Sequence, residues 1–256
     1  MLRLRRAPPP FRRAEVAEVR ARSPRMQRVA VAGPELVGLD APDPAASIRL
    51  LLPHGGDLVL PEWDGNEFLH ADGSRPRLRT LTPLHVDPIA GRLEVDIVLH
   101  GAGPMATWAL GTRPGDAVAI SGTGRGYAID ADAQPLLLAG DESALPAIST
   151  ILQALPMGAD VEVLAEVATA DAILELDGPE HLTVTWCEPR AGQAPGEALA
   201  AAVEAVALGP GTWVWAAGEA AAVQRIRRHL FETLGLPRRQ CTVRGYWKHG
   251  RAGAGD

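Results

Sequence analysis

The rhythm of the hydrophobic pattern changes near residue 130, and this change constrains the fold more than any other feature of the sequence. Before it, short apolar runs follow one another at roughly even spacing and are separated by Gly, Pro and Asp. After it, apolar runs alternate with segments of helical periodicity. Evenly spaced strands indicate an antiparallel barrel, whereas strand–helix alternation indicates a parallel sheet covered by helices. The sequence therefore predicts two domains of different class.

The predicted boundary divides the chain into an antiparallel β-barrel over residues 1–130 and an α/β domain over residues 131–256, with IDADAQ as the link. In the barrel we predict one short helix at Pro104–Leu110 and strands in the runs QRVAVAG, SIRLLLP, RLRTLTPLHV, RLEVDIVLHG and DAVAISG. In the α/β domain we predict helices at Ala144–Leu155, Glu197–Ala207 and Ala220–Leu234. The strands predicted around them are PLLLAG, DVEVLAEVA, LTVTWCEP, TWVWAAG and QCTVRGYW.

Composition narrows the class of protein. With 46% hydrophobic and 22% charged residues, the chain can bury a substantial core, so disorder is not expected. No apolar run approaches the roughly 18 residues of a membrane span. The start, MLRLRRAPPPFRR, is basic but runs into prolines rather than an apolar stretch. We therefore expect no secretory signal and a cytoplasmic location.

The two cysteines, Cys187 and Cys241, lie far apart and lack the spacing of a zinc site or an iron–sulfur cluster. Both fall in strand-like runs, so we expect reduced, buried thiols and no metal site. Any redox chemistry would then have to come from a bound organic cofactor.

The charge distribution is uneven. Net charge is −6, yet basic residues crowd the C-terminal end of the chain. An acidic protein with one basic region favours a small anionic ligand over nucleic acid. The alternative, that these arginines only solvate a helix face, stays open.

The stretch LLLAGDESALPAI places Gly140, Asp141, Glu142 and Ser143 where a buried strand gives way to a helix. In an open α/β sheet, ligands bind beyond the C-terminal ends of strands, where helix N-termini offer unpaired N–H groups. Asp141 or Ser143 as a helix N-cap is the simpler interpretation. A turn that faces a cofactor is the other, because an N-cap accounts for only one of three consecutive polar residues.

A similar turn, HGAGPMATW, follows a predicted barrel strand at His100. Its glycines let the backbone approach a ligand, and Pro104 suits the first turn of a helix. The N–H groups of Met105, Ala106 and Thr107 are expected to bind a pyrophosphate. No clear helix follows the glycine-rich GTGRGY, so we do not interpret that segment as a dinucleotide fingerprint.

Taken in order, these segments resemble the siderophore-interacting protein family. The resemblance covers nearly the whole chain and is carried by RPRLRTLTP, DIVLHGAGPMATWA, PGDAVAISG, LLLAGDESALPAI, WAAGEAAAVQRIRRHL and GYWKHG. It implies a ferredoxin reductase-like flavoprotein with an FAD-binding barrel and a nicotinamide-binding α/β domain. The implied activity is electron transfer from NAD(P)H, or from a protein donor such as a ferredoxin, through FAD to a ferric siderophore.

The resemblance also implies site residues, although no acid–base catalyst is among them, since flavin electron transfer needs none. The implied cofactor-binding positions are Arg79, Leu81, Thr82, His100, Gly101, Gly103, Met105, Ala106, Thr107, Gly140, Asp141, Glu142, Ser143, Gly218, Glu219 and Trp247. Tyr246 belongs with Trp247 to an aromatic C-terminal segment that should lie near the flavin. A basic triad around the siderophore is best matched by Arg49, Arg125 and Lys248.

The barrel motif departs from the family pattern Arg-x-Tyr-Thr-x-Arg at two positions. In RTLTPL, Leu81 replaces the Tyr that should pack on the isoalloxazine, and Leu84 replaces the second Arg, which should contact the FAD phosphates. Losing a charge-assisted bond of about 1.5–3 kcal/mol weakens affinity by roughly one to two decades. We therefore expect weaker FAD binding than in relatives with the complete motif. Two alternatives stay open: a flavin-free scaffold used as a cyclase or isomerase in natural-product biosynthesis, and a siderophore-binding protein.

The expected electron donor rests on Glu166 and Asp171, which flank the end of the predicted strand DVEVLAEVA. An adenine ribose is expected there. A carboxylate suits a ribose diol and repels a 2′-phosphate. The sequence therefore predicts NADH rather than NADPH as the donor.

Overall fold

A computed structural model describes the chain at residues 8–53, 56–100, 103–130, 133–209 and 211–250. The chain forms two compact units, and the boundary falls between Gly126 and Tyr127. The first unit contains the predicted barrel strands, and the second contains the predicted alternation of strands and helices.

The first unit is built on antiparallel strands. Their bounds, together with the helix α1, are β1 (Phe11–Ser23), β2 (Met26–Ala32), β3 (Ile48–Leu51), β4 (Glu62–Trp63), β5 (Phe68–Leu69), β6 (Leu78–Leu81), β7 (Pro83–Asp87), β8 (Arg92–Val98), α1 (Pro104–Gly111) and β9 (Ala117–Ser121). Within the described ranges, seven of these strands form one curled sheet in the order β6-β3-β9-β1-β2-β8-β7. The strands β4 and β5 form a separate hairpin, and a 3-10 turn at Pro34–Leu36 follows β2.

Alternation in the central strands builds the core of this sheet. Val29 and Val31 of β2 and Val95 and Ile97 of β8 are buried in one apolar cluster. Burying each such side chain contributes roughly 1.5–3 kcal/mol. A slip of one residue would move all four to the opposite face of the sheet, where Arg28, Glu94 and Asp96 form ion pairs, so the alternation of apolar and charged residues selects the register.

Sequence analysis missed β1 and the β4–β5 hairpin. The sequence of β1, FRRAEVAEVRARS, is rich in charged residues, and only Ala14 and Val16 of this strand are buried. Its backbone nevertheless pairs with β2 on one side and β9 on the other. Tertiary pairing therefore makes a strand of a segment that lacks a clear hydrophobic period.

The second unit alternates strands and helices as predicted. Its elements are β10 (Leu136–Asp141), α2 (Leu145–Ala154), β11 (Asp160–Glu166), β12 (His181–Cys187), α3 (Glu197–Ala205), β13 (Trp213–Glu219), α4 (Ala220–Arg228) and β14 (Cys241–Trp247). In the described part of this unit, five parallel strands form a sheet in the order β12-β11-β10-β13-β14. Short 3-10 turns occur at Ala170–Ala172 and Arg238–Gln240. The predicted long C-terminal helix is α-helical only to Arg228 and continues as a π-helical turn at His229–Thr233.

Helix packing in this unit depends on a glycine at the end of β10. A Cβ atom added to Gly140 would lie 2.6 Å from Cβ of Ala144 and 3.0 Å from Cδ1 of Ile148. Interiors are packed too tightly to absorb such contacts without moving the backbone. Gly140 is therefore required for α2 to approach the sheet.

The cysteines differ from the expectation. Both thiols are free, but Cys187 and Cys241 are only half-buried, because they lie on the outer strands β12 and β14. Desolvation raises the pKa of Cys187, the charge of Glu166 adds to that shift, and desolvation alone raises the pKa of Cys241 to about 11. Neither thiol is therefore set up as a reactive thiolate at neutral pH.

Two further features bear on the class of protein. Among the helices that the structure describes, none has the length and apolar character needed to cross a membrane. In the same residues, no three His, Cys, Asp or Glu side chains are grouped so that they could hold a metal ion.

Candidate functional site

The barrel motif lies on β6 and β7, and its two unusual leucines have different environments. Leu81 is partly buried and packs against the apolar cluster of the first unit. Leu84 is only 4% exposed and faces Glu94 across the β7–β8 pair. Thr82 is also buried, and Arg79 donates from Nη1 to the carbonyl oxygen of Leu78 at 2.9 Å. The position of the second family arginine is therefore an interior position in this chain.

The start of α1 offers fewer donors than the sequence suggested. The N–H of Thr107 donates to the carbonyl oxygen of Gly103 at 2.9 Å and is used within the helix, so the expectation that it binds a pyrophosphate is wrong. Met105 and Ala106 occupy the first turn, where N–H groups lack intrahelical partners. Among the residues that the structure describes, a Cβ atom added to Gly103 would meet nothing within 4 Å.

The predicted turn begins with His100 and Gly101. His100 is exposed and follows the end of β8. Gly101 lies outside the described residues.

A cleft of about 410 Å³ opens at the start of α1. It is lined by Leu52, Pro53, Arg77, Pro104, Thr107 and Trp108. The backbone of Arg77 is held by the N–H of Leu52, which donates to its carbonyl oxygen at 3.0 Å. Sequence analysis missed Arg77, although its spacing of two from Arg79 is a signal, because alternate residues of an extended segment share a face.

The turn after β10 is organised around one buried carboxylate. Oδ1 of Asp141 accepts hydrogen bonds from the N–H of Ser143 at 2.9 Å and from its hydroxyl at 2.5 Å. Oδ2 accepts from the N–H of Glu219 and from the indole N–H of Trp247, both at 2.8 Å. Desolvation raises the pKa of Asp141, and these donors oppose that shift. The carboxylate therefore contacts protein groups on both of its oxygens.

The expectation that Asp141 or Ser143 caps α2 is wrong. The N-cap of α2 is Ala144, and no side chain accepts a hydrogen bond from the helix start. Glu142 is buried and accepts a long hydrogen bond from the N–H of Ala168 at 3.4 Å. Ser143 is the most exposed of the three polar residues of the turn, but it is only partly so. The polar side chains of this turn serve mainly to form hydrogen bonds within the turn and to other segments of the second unit.

Gly218 and Glu219 support the same turn. Gly218 has φ +150°, and a Cβ atom added to it would lie 2.6 Å from Oδ2 of Asp141. Glu219 caps α4, accepting from the N–H groups of Ala221 at 2.5 Å and Ala222 at 3.0 Å. Burial works against ionisation of Glu219, but its backbone donors outweigh burial and hold its pKa below the ordinary value. Both residues therefore serve the architecture of the β10–β13 crevice edge.

The aromatic C-terminal segment is partly exposed. Trp247 is held by its indole N–H, and its ring meets that of His249 edge-on, with centroids 6.3 Å apart. Tyr246 is 37% exposed, and its ring meets Trp215 edge-on at 6.3 Å. Lys248 is exposed between the two anchored residues.

The two predicted basic residues of the first unit lie close in the fold. Gly124 donates its N–H to the carbonyl oxygen of Ser47 at 2.6 Å, which ties the loop of Arg125 to the start of β3. Arg49 lies on β3, two residues after Ser47, and both arginines are exposed. Among the described residues, neither they nor Lys248 of the second unit form an ion pair.

The expected role of Glu166 is wrong. Its side chain is buried, Oε1 accepts from the N–H of Gly196 at 2.6 Å, and Oε2 accepts from the N–H of Leu199 at 2.8 Å. These contacts cap the start of α3, so the carboxylate is unavailable to a ribose. Asp171 is exposed, with Oδ1 accepting from the hydroxyl of Thr169 at 2.6 Å. Only Asp171 of the predicted pair can face a ligand.

Comparison with known proteins agrees with this geometry. Residues 15–127 match the family model of the siderophore-interacting FAD-binding domain, and residues 133–250 match that of the siderophore-interacting protein. A siderophore utilization protein from T. fusca is 37% identical in sequence, with a TM-score of 0.84 over 96% of this chain and 95% of that one. Ferric vibriobactin reductase ViuB of Vibrio cholerae is 28% identical over 90% of this chain and 86% of its own.

The fold extends to more distant proteins. A ferredoxin reductase in carbazole 1,9a-dioxygenase has a TM-score of 0.68 over 93% of this chain and 69% of that one, at 17% identity. At that identity the likeness concerns the fold alone. The predicted architecture, an antiparallel barrel-type sheet followed by a parallel-sheet unit of the ferredoxin reductase-like class, is confirmed.

Proposed function

Because this chain belongs to the siderophore-interacting protein family, we propose that it is a cytoplasmic FAD-dependent reductase that releases iron from a ferric siderophore. The observation that carries the proposal is the cleft at the start of α1, where Arg77 lines the wall together with the first turn of the helix, although the barrel motif has lost its second arginine. Reduction to Fe(II) softens the metal and weakens its complex with hard oxygen ligands, which frees the iron.

The residues of the first unit fit the diphosphate of FAD at this cleft. Arg77 supplies a positive charge in the cleft wall. Met105 and Ala106 lie in the first turn of α1, where N–H groups lack intrahelical partners and the helix dipole is positive. Among the described residues, no atom lies within 4 Å of a Cβ position at Gly103, which leaves room there for a phosphate close to the backbone. When bound, FAD supplies a carrier that accepts a hydride and passes on single electrons.

Arg77 thus takes over the charge that position 84 no longer carries. Leu84 is interior, so the leucine stabilises the sheet rather than contacting a ligand. Leu81 keeps apolar contact area where the family has an aromatic ring, at a cost of about 1 kcal/mol. The proposed flavin site therefore has a weaker contact to the isoalloxazine ring, through Leu81, and an alternative cation for the phosphates, Arg77.

We further propose NADH as the electron donor, now on Asp171 alone. Its exposed carboxylate follows the C-terminal end of β11, where a ribose diol would be accepted and a 2′-phosphate repelled. Steady-state kinetics with NADH, NADPH and a reduced ferredoxin distinguish the donors. A preference for NADPH, or activity with ferredoxin alone, would refute this choice without touching the flavin site.

The exposed basic residues support an anionic ferric siderophore as substrate. Arg49 and Arg125 on the first unit and Lys248 on the second are exposed and have no ion-pair partner within the described part of the chain. Attraction between exposed charges fades beyond a Debye length of about 8 Å at physiological salt. Arg125→Ala and Lys248→Ala should therefore weaken binding more at low salt than at high salt. Arg22→Ala, an exposed charge-matched control, should not.

The experiment that tests the proposed function is the visible spectrum of the purified protein before and after incubation with FAD, followed by an Fe(II)-chelator assay with NADH and a ferric catecholate. A yellow protein that produces Fe(II) supports the reductase. A protein that stays colourless and binds no added FAD would overturn it. That result would favour the flavin-free alternatives, a siderophore-binding protein or a cyclase, which rest on Leu81 and Leu84.

A further inference from the structure

Asp141 joins three segments that are far apart in the sequence. Through one oxygen it binds Ser143 of its own turn, and through the other it binds the start of α4 and the end of β14. All of these donors are neutral N–H or O–H groups. The carboxylate is buried, so each of these bonds is charge-assisted in a dry environment.

The second unit makes room for this carboxylate at a specific position. Gly218 has no Cβ where Oδ2 of Asp141 lies, since a Cβ atom there would be only 2.6 Å away. The missing side chain lets one oxygen reach both the N–H of Glu219 and the indole N–H of Trp247. Gly218 and Asp141 therefore act together to hold the indole of Trp247.

A second carboxylate holds the next turn of the chain. Oε1 of Glu219 accepts the N–H of His249 at 3.1 Å, and the rings of Trp247 and His249 meet edge-on. Lys248 is exposed between these two anchored residues. Its backbone direction is therefore set by contacts made on either side of it.

We propose that Asp141 is a positioning residue that fixes the segment 247–249 and thereby sets where Lys248 presents its ammonium group to an anionic ligand. The part that concerns the ligand rests on the proposed function. The part that concerns the segment does not, because it follows from the bonds within the second unit. Asp141 acts on the ligand only through Trp247 and Lys248.

Asp141→Asn and Trp247→Phe test the anchor from its two sides. The amide keeps one acceptor oxygen but turns an NH₂ group toward existing donors, and the phenylalanine keeps an aromatic ring while removing the indole N–H. Amide hydrogen exchange in a peptide covering 247–250 should become faster by about tenfold or more in both variants. Ser143→Ala, which loses one bond to the other oxygen of the same carboxylate, should leave this exchange near the wild-type rate.

The ligand readout uses the anionic ferric complex of 2,3-dihydroxybenzoate. Asp141→Asn should weaken its binding about tenfold in wild type but scarcely at all in a Lys248→Ala background, because Asp141 acts through Lys248. A general loss of folding would instead weaken binding of the ferric complex alike in both backgrounds.

Each outcome separates the two ideas. Unchanged exchange in both variants overturns the anchor, and an equal loss of binding with or without Lys248 overturns the positioning role. If Asp141→Asn does not fold, Trp247→Phe carries the same cycle, because it leaves the carboxylate in place. If wild type binds no ferric catecholate, the proposed function fails while the exchange result still decides the anchor.

Discussion

Replacing Arg77 with alanine tests the phosphate contact that distinguishes this chain from the family pattern. The guanidinium lines the cleft at the start of α1 and has no ion-pair partner among the described residues, so removing it leaves no buried charge behind. The expected cost is one charge-assisted hydrogen bond, about 1.5–3 kcal/mol. This corresponds to a rise in the Kd of FAD of about 10- to 150-fold. Arg77→Lys should lie between, because an ammonium keeps the charge but not the planar fork.

Flavin fluorescence titration with two ligands makes the measurement specific. FAD carries the diphosphate, whereas riboflavin carries the same ring system without it. Arg77→Ala should weaken the binding of FAD and leave the binding of riboflavin unchanged. Arg75→Ala provides a matched control, since Arg75 is two residues away, exposed and paired with Glu67 at 2.9 Å. It should change neither affinity by more than about twofold, as expected for an exposed pair.

The reasoning would be refuted by either of two results. Equal weakening of FAD and riboflavin would mean that Arg77 acts through the structure of the loop rather than on the phosphates. No weakening of FAD would mean that the cleft at the start of α1 does not hold the diphosphate. In the second case neither residue 77 nor residue 84 would supply a cation to the diphosphate, and the flavin-free alternatives would gain support.

Three further predictions concern the supports of the site. Gly218→Ala should destabilise the second unit by roughly 2–4 kcal/mol because its Cβ would meet a buried carboxylate. Urea unfolding measures this against Gly158→Ala, whose added Cβ would meet no described atom within 4 Å, and equal unfolding midpoints for the two variants would disprove the prediction. Desolvation raises the pKa of Glu166, so ionisation costs stability as pH rises above 4.5 through the raised folded-state pKa. The unfolding free energy of Glu166→Gln should therefore rise relative to that of wild type as pH increases through this range. A difference between the two that does not change with pH would contradict this reasoning. Leu81→Tyr should tighten FAD binding about fivefold in fluorescence titration. Leu84→Arg should instead lower the thermal unfolding midpoint. A Leu84→Arg variant that binds FAD more tightly and unfolds at the wild-type temperature would show that this position does face the phosphates.

Periodicity by itself determined the architecture. Strands such as TWVWAAG and PLLLAG are apolar runs between turn residues, and only a sheet covered on both faces buries such runs. The helix Ala220–Arg228 has an apolar stripe and an acidic cap at Glu219, so its start is visible in the sequence. The charged strand β1 was not visible, because what makes it a strand is backbone pairing with β2 and β9.

The polar turn GDES shows what sequence could not decide. Its place at the end of a parallel strand was predictable, because strand–helix alternation puts such turns at one edge of the sheet. Which groups its side chains meet was not, since Trp247 is 106 residues from Asp141 and Glu219 is 78. The same holds for Glu166, whose partners lie 30 and 33 residues away.

Residue type and local spacing thus determined the elements, their order and the turns that could carry a site. Tertiary structure decided which carboxylates accept hydrogen bonds from helix starts and neighbouring segments, and which cations remain available to a ligand. The physical reason is that a buried carboxylate must find donors from whatever segments the fold brings near it, and those segments are set by packing. Among the described residues, neither the partly buried Arg77 nor the exposed Lys248 has an acidic partner, so both charges remain available to a ligand.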